Sequence, residues 1–229
     1  MPYADLRSPL PDRPHPLLFV GGFLLTILAG AINVTMLSFY AVPVSHMSGA
    51  VSRLGMDLGS KHFDDVFVIG LIIGGFVLGC ALTGGLVGSS SLERRNRYTT
   101  ALVCEAIALG VSATLIDGSI HAAVILCACA CGIQNAMASS YYGLVVRTTH
   151  VTGIITDLGF MIGARFTGRH FARWKYLLLT LLVAGYLLGG TSAAAMMSIH
   201  PQFILWGCCA FALAIALGYH LLNPRMPTP

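Results

Sequence analysis

The sequence predicts an all-α polytopic membrane protein with six transmembrane helices, arranged as two inverted three-helix repeats that each contain a broken or half-helix segment. The first observation is composition: 56% of the 229 residues are hydrophobic and 10% are charged. A soluble domain carries about a quarter charged residues, so this chain belongs in a lipid bilayer. The other two observations are a set of long apolar segments and a sequence phrase that occurs twice.

The apolar segments are long enough to cross roughly 30 Å of hydrocarbon as helices. The one at 98–116 is shorter than the others and carries Glu105, yet most of its residues are apolar. The predicted spans are residues 17–40, 66–89, 98–116, 119–143, 176–197 and 202–221.

The repeated phrase reads AGAINVTMLSFYAVPVSHMSGAVSRLGMDLG at residues 29–59 and CGIQNAMASSYYGLVVRTTHVTGIITDLGFMIG at residues 131–163. Asn33 matches Asn135, and the run beginning at His46 matches the run beginning at His150 after one two-residue insertion. Matching residue types at so many fixed offsets indicate an internal duplication.

The duplication divides the chain into two membrane units, 16–116 and 117–222, with polar tails at 1–15 and 223–229. Each unit contains three predicted crossings. Because three is odd, the two copies enter the membrane from opposite sides, as in inverted-topology repeats with a site between them.

Each copy of the phrase contains an interruption followed by about a dozen residues with helical spacing. Pro43 interrupts the first copy and the polar run 147–149 interrupts the second. A dozen residues span roughly 18 Å, so we predict half-helices over 48–60 and 152–163. Ser45 or Ser48, and Thr149 or Thr152, are the expected N-caps.

If the two half-helix N-termini meet at the midplane, their unpaired N–H groups create a polar site that tolerates an anion. The candidate solute-binding residues line these interruptions and the helices before them. They are Asn33, His46, Ser48, Gly49, Gln134, Asn135, Thr149, His150, Thr152 and Gly153.

The histidines have three interpretations: His46 and His150 bind an anion or relay protons, they bond backbone carbonyls where the helices break, or they hold a transition metal. Met47 would assist such a metal in one copy only, and no metal or other cofactor is expected. The amides of Asn33, Gln134 and Asn135 serve either as interhelical contacts or as ligand contacts.

The charged candidates for coupling or ion pairing are Arg53, Glu105, Arg147 and Asp157. A lone charge at the bilayer centre costs roughly 2.5–3.5 kcal/mol, so partners are expected. Arg53 and Asp157 occupy equivalent positions and either pair with each other or face the membrane surfaces. Glu105 is either a proton-coupling carboxylate, a partner of Arg147, or a partly wet group near the interface.

The basic residues predict orientation. With the N- and C-termini in the cytoplasm, all of the 13 lysines and arginines except Arg53 and Lys61 fall on the inner side. A nucleic-acid partner is therefore not expected.

The motifs Gly132–Ala136 and Thr148–Gly153, with His46–Gly49 upstream, resemble the YoaK-like family of bacterial six-helix membrane proteins. The resemblance covers roughly residues 17–222 and implies a multi-pass protein of the bacterial cytoplasmic (inner) membrane, without supplying a substrate. This chain departs from the family at Asn33, where an Asp is usual, and at Ala50, where an Asn is usual.

The functional hypothesis is a transporter or channel for a small polar or anionic solute. The alternative is a non-transporting scaffold, assembly or lipid-binding protein. An enzyme is not expected, since the chain has no Gly-x-Ser-x-Gly, His-Glu-x-x-His or paired carboxylates. The expected partners are the lipid bilayer and a small solute or ion, and glycine stripes such as Gly70-x-x-x-Gly74 serve either packing within the monomer or a homodimer.

Overall fold

The computed structural model describes residues 16–41, 44–88, 94–140, 148–198 and 200–222. Within these ranges the chain forms six long helices and two short ones, in an all-helical arrangement. The helices are α1 (Pro16–Tyr40), α2 (Met47–Gly59), α3 (Phe63–Gly88), α4 (Arg94–Leu115), α5 (Ile120–Ser140), α6 (Val151–Arg165), α7 (Arg173–Met196) and α8 (Pro201–Leu222).

The six long helices are each long and apolar enough to cross a membrane, which confirms the six predicted spans. They are α1, α3, α4, α5, α7 and α8. The third helix starts at Phe63 rather than near residue 66, because Asp64 and Asp65 lie in its first turn, where acidic side chains interact favourably with the helix dipole. Large apolar side chains on the outside, such as Phe67 and Leu187, are about two-thirds exposed, as expected for a surface in contact with lipid.

The helices of the two sequence units interdigitate. The first helix, α1, packs most extensively against α7, and α3 packs most extensively against α5, while α4 packs against both α5 and α8. Helix α5 is the most enclosed, and most of its residues from Ala123 to Ala138 are buried. The seven cysteines are free thiols, and those of α5 serve as small packing residues in this core.

Glycines set the close approach of α3 to α5. A methyl group added at Gly79 would lie 2.9 Å from both the carbonyl carbon of Cys129 and the nitrogen of Ile133, and closer still to the Cys129 carbonyl oxygen. Gly75 is less tight but still too close for a side chain, with the Ile125 carbonyl oxygen 2.8 Å from an added Cβ. These two glycines therefore serve packing within the monomer.

The close approach of α1 to α7 repeats this arrangement. An added Cβ at Gly189 would lie 2.7 Å from the Ile27 carbonyl carbon, and one at Gly185 would lie 2.8 Å from the Phe23 carbonyl oxygen. Gly185 and Gly189 lie 110 residues after Gly75 and Gly79, respectively. Their contact partners, Phe23 and Ile27, lie 102 residues before Ile125 and Cys129, the partners of Gly75 and Gly79. The same contacts thus recur at fixed offsets along the chain.

Candidate functional site: two anchored helix breaks

The two short helices, α2 and α6, follow the interruptions of the repeated phrase, as predicted. Helix α2 has 13 residues and α6 has 15. At 1.5 Å per residue they are about 20 and 22 Å long, too short to cross the hydrocarbon region alone. Both occur where the sequence predicts half-helices.

The predicted capping residues are not the observed ones. The N-cap positions are His46 in α2 and His150 in α6, and neither side chain bonds a first-turn N–H group. The expected caps Ser45 and Thr149 each lie one residue earlier. Their hydroxyl groups are engaged elsewhere, which explains why they do not cap.

In the first unit, Asn33 of α1 holds the segment that leads into α2. Its side-chain oxygen accepts hydrogen bonds from the Ser45 backbone nitrogen at 3.2 Å and from the Ser45 hydroxyl group at 2.8 Å. The Ser45 hydroxyl also lies 3.4 Å from the Tyr186 hydroxyl of α7. The contacts with Asn33 are buried and the contact with Tyr186 is partly buried, so the segment that leads into α2 is held from both units.

In the second unit, Asn135 of α5 holds the segment that leads into α6 in the same way. Its side-chain oxygen accepts from the Thr149 backbone nitrogen at 3.3 Å and from the Thr148 hydroxyl at 3.4 Å. Its side-chain nitrogen donates to the Thr149 hydroxyl at 2.6 Å. An asparagine twelve to fourteen residues upstream therefore anchors each break, and both asparagine amides are used in internal contacts.

The remaining candidates of the repeated phrase surround the helix starts. His46 and Gly49 are half-buried, while Ser48, Thr152 and His150 are exposed on the chain surface. The His150 ring folds back over the first turn of α6, where its Nδ1 atom occupies the space that a Cβ at Gly153 would need. Only a glycine at position 153 accommodates the ring in this position.

The two half-helices pack on different partners. Within the described part of the chain, α2 packs on α3 and α6 packs on α7, and the two half-helices have no substantial contact with each other. N-termini that face each other across a bound solute need no such contact, so their meeting at the midplane stays a prediction. Each break is tied to the asparagine of its own unit, on α1 or on α5.

The charged candidates are arranged differently from the pairing considered above. Arg53 bonds Asp57, one turn further along α2, at 2.9 Å. Asp57 is buried, whereas Asp157 on α6 is exposed. The i,i+4 spacing of Arg53 and Asp57 explains why the pair forms within one helix. Arg147 lies outside the described residues, as do Pro43, Tyr141 and Tyr142.

Two buried polar side chains lie between the units without satisfied oxygen atoms. Glu105 of α4 is completely buried, and neither carboxylate oxygen has a hydrogen-bond partner among the described residues. Gln134 of α5 is also completely buried; its side-chain nitrogen donates to the Leu25 carbonyl of α1 while its side-chain oxygen has no such partner. Glu105 is thus not a wet group at the interface.

A cavity of about 250 Å³ separates α1 from α8 and reaches α4 and α5. Its walls are almost entirely apolar and include Leu24, Leu102, Met137 and Ile215. Thr148, at the break before α6, contributes to the lining. The cavity therefore extends from an apolar groove to one of the two anchored breaks.

A possible metal-binding group lies outside this region. Potential ligand atoms of Asp57, His62 and Asp65, at the turn between α2 and α3, are within 4.8 Å of one another. However, the Arg53 guanidinium already bonds the Asp57 carboxylate, and this positive charge opposes a cation there. We assign no metal to this group.

Six apolar spans and two anchored half-helices define a polytopic membrane protein with interrupted helices. Residues 21–218 match the family described as protein of unknown function DUF1275, and the chain belongs to that family. This is the family that includes the YoaK-like proteins, so the resemblance of the repeated motifs is confirmed. Comparisons with curated proteins and with solved structures found no match.

Sequence reasoning missed three features of the site. It did not identify Tyr186, Thr148 or the ion pair of Arg53 with Asp57. The ion pair had a detectable signal, namely opposite charges four residues apart on a predicted helix. Tyr186 carried only the weaker signal of a position matching Phe76 in the other unit.

Proposed function

We propose that this protein is a secondary transporter or channel for a small polar or anionic solute, in the cytoplasmic membrane of a bacterium. The observation that carries the proposal is the pair of helix breaks, each anchored by an asparagine and each followed by a half-helix. Irregular backbone within a membrane is tolerated only where it is buried in protein or lines a cavity. Two such breaks at matching places favour a functional pathway over simple packing.

The inverted repeat is part of this proposal. Each unit contributes three spans, and the glycine contacts of α3 with α5 recur in α7 with α1 at fixed sequence offsets. The asparagine anchors recur as well. Such recurrence supports two units related by a pseudo-two-fold axis in the membrane plane, as in many secondary transporters.

Solute recognition would fall to the starts of α2 and α6. His46 and His150 donate hydrogen bonds to an anion when protonated, and unpaired N–H groups of the first helical turns add a partial positive charge. With both termini in the cytoplasm, α6 would end at the inner surface and α2 at the outer surface.

The test begins with a thermal-shift screen of purified protein against metabolites and inorganic ions. Uptake of a binding solute is then measured in liposomes. His150→Ala should abolish uptake while leaving membrane insertion intact, and His170→Ala, at an exposed loop position, is the matched control. Wild-type uptake by the His150→Ala protein would remove this histidine from the pathway, and absence of flux for every binding solute would refute transport.

A second candidate is a non-transporting, lipid-binding membrane protein. The apolar walls of the cavity between α1 and α8 favour it, because they offer a hydrated anion few hydrogen bonds to replace those it has in water. Gly218→Phe would fill the cavity from α8, and Gly207→Phe on the same helix, outside the lining, is the control. Loss of co-purifying lipid only in Gly218→Phe, without any solute flux in the wild type, would favour this function.

A further inference from the structure

The most unusual group in the membrane interior is the carboxylate of Glu105. It is 0% exposed, and both of its oxygen atoms lack a partner among the described residues. An ionised carboxylate in such surroundings is costly, because burial removes it from bulk water and none of the described residues donates a hydrogen bond in place of its hydration. The side chain therefore requires a proton or a bound cation.

Gln134 lies within about one helical turn of Glu105 along the α4–α5 interface. These antiparallel helices are in register where Tyr98 contacts Ser140 at 3.2 Å and where the Ser112 hydroxyl bonds the Ala123 carbonyl at 2.8 Å. Halfway between these contacts, α4 has reached Glu105 and α5 has reached Cys131 and Gly132. Gln134 follows Cys131 by three residues on the same face of α5, so its unsatisfied oxygen lies about one turn from the position opposite the unsatisfied carboxylate.

In the part of the chain that the structure describes, the other titratable groups that face Glu105 are thiols. Cys131 of α5 and Cys208 of α8 lie close enough for electrostatic interaction with it. Cys127 of α5 is also in this buried cluster, and Cys80 of α3 bonds the Gly132 carbonyl instead. None of these thiols supplies a positive charge that would stabilise a carboxylate anion.

We propose that Glu105 and Gln134 form a proton-binding site, and that a proton is the coupling ion of the transport proposed above. A protonated Glu105 donates its O–H to the Gln134 oxygen, which satisfies both groups with one hydrogen bond. Release of the proton leaves a buried charge and therefore requires a rearrangement that admits water or a donor. The coupling role rests on the proposed function, whereas proton binding does not.

The chemical test uses infrared difference spectra of the protein in lipid membranes at neutral pH. The difference spectrum of wild type minus Glu105→Gln should show the carbonyl band of a neutral carboxylic acid. This band should shift on exchange into D₂O. In Gln134→Leu this band should move to higher frequency, because the acid loses its acceptor. A carboxylate signal instead, or a band unmoved in Gln134→Leu, would overturn the site. A carboxylate signal that changes when choline replaces Na⁺ would show that Glu105 binds a metal cation instead of a proton.

The coupling test uses liposomes with a pH gradient and a solute found by screening. A one-to-one proton symporter accumulates its solute about tenfold for each unit of pH difference. Glu105→Gln should lose this accumulation and retain solute exchange without a gradient. Accumulation equal to wild type would refute coupling at Glu105. Absence of flux in the wild type would refute the transport function while leaving the infrared result to decide proton binding.

Discussion

The close packing of α3 on α5 makes a specific prediction for two glycines on the same helix. A methyl group at Gly79 would lie 2.9 Å from Cys129 and Ile133 backbone atoms, and backbone atoms cannot rotate away. At Gly74, five residues earlier on α3, an added Cβ has nothing within 4 Å. Gly79→Ala and Gly74→Ala thus add the same atom in two different environments.

The expected difference follows from two opposing effects. Replacing a helical glycine by alanine stabilises the helix by about 0.8–1.0 kcal/mol, and this gain is shared by both variants. At Gly79 the helices must also separate by on the order of 1 Å, and overpacking of this kind costs about 1–3 kcal/mol. We therefore expect the free energy of unfolding of Gly79→Ala to be about 1–3 kcal/mol below that of Gly74→Ala.

The measurement is reversible unfolding in mixed micelles, by titrating a lipid-like detergent with a denaturing one and following circular dichroism. Gly189→Ala repeats the experiment at the α1–α7 contact and should lose a similar free energy. Equal stability of Gly79→Ala and Gly74→Ala would refute the claim that backbone contact sets the distance between α3 and α5.

Three further predictions concern the breaks and the orientation. Asn135→Leu leaves the bonded threonine groups unpaired and should lower the free energy of unfolding by about 1–3 kcal/mol; an unchanged value would show that the anchor is dispensable. Gly153→Ala displaces the imidazole above it and should be less stable by about 1 kcal/mol than Gly159→Ala, where an added Cβ meets nothing; equal unfolding curves would contradict this placement. In a cysteine-free background, Ser60→Cys should react with a membrane-impermeant thiol reagent from outside, and Thr167→Cys only from inside; the reverse pattern would invert the proposed orientation.

The sequence was sufficient to predict the spans and the half-helices. Length and hydrophobicity decide a transmembrane helix almost independently of its neighbours, so α1 and α7 could be recognised one at a time. The half-helices could be recognised because a duplication displays the same interruption twice. Because the phrase occurs in two copies, a feature present in both can be distinguished from a feature present in only one, such as Pro43.

The contacts of the candidate residues were less predictable, because they depend on how the helices pack. Asn33 and Asn135 were equally compatible with ligand binding and with interhelical contacts, and only the fold shows Ser45 and Thr149 beside them. Arg53 had two possible carboxylate partners, and the nearer one along its own helix prevailed. The sequence identifies residue types and their spacing. Predicting which side chains pair across two helices also requires the register of those helices.

The two units differ most where α1 meets α8. Helix α4 packs closely on α5, yet the corresponding pair, α8 and α1, touches over a smaller surface and encloses the apolar cavity. The Ser112 bond to the Ala123 carbonyl closes the α4–α5 contact. Under the proposed inverted symmetry, this difference is what alternating access requires, since two equivalent interfaces are held in unlike states. Because both asparagine anchors are intact despite that difference, movement would occur at these two interfaces while each half-helix stays attached to its own unit.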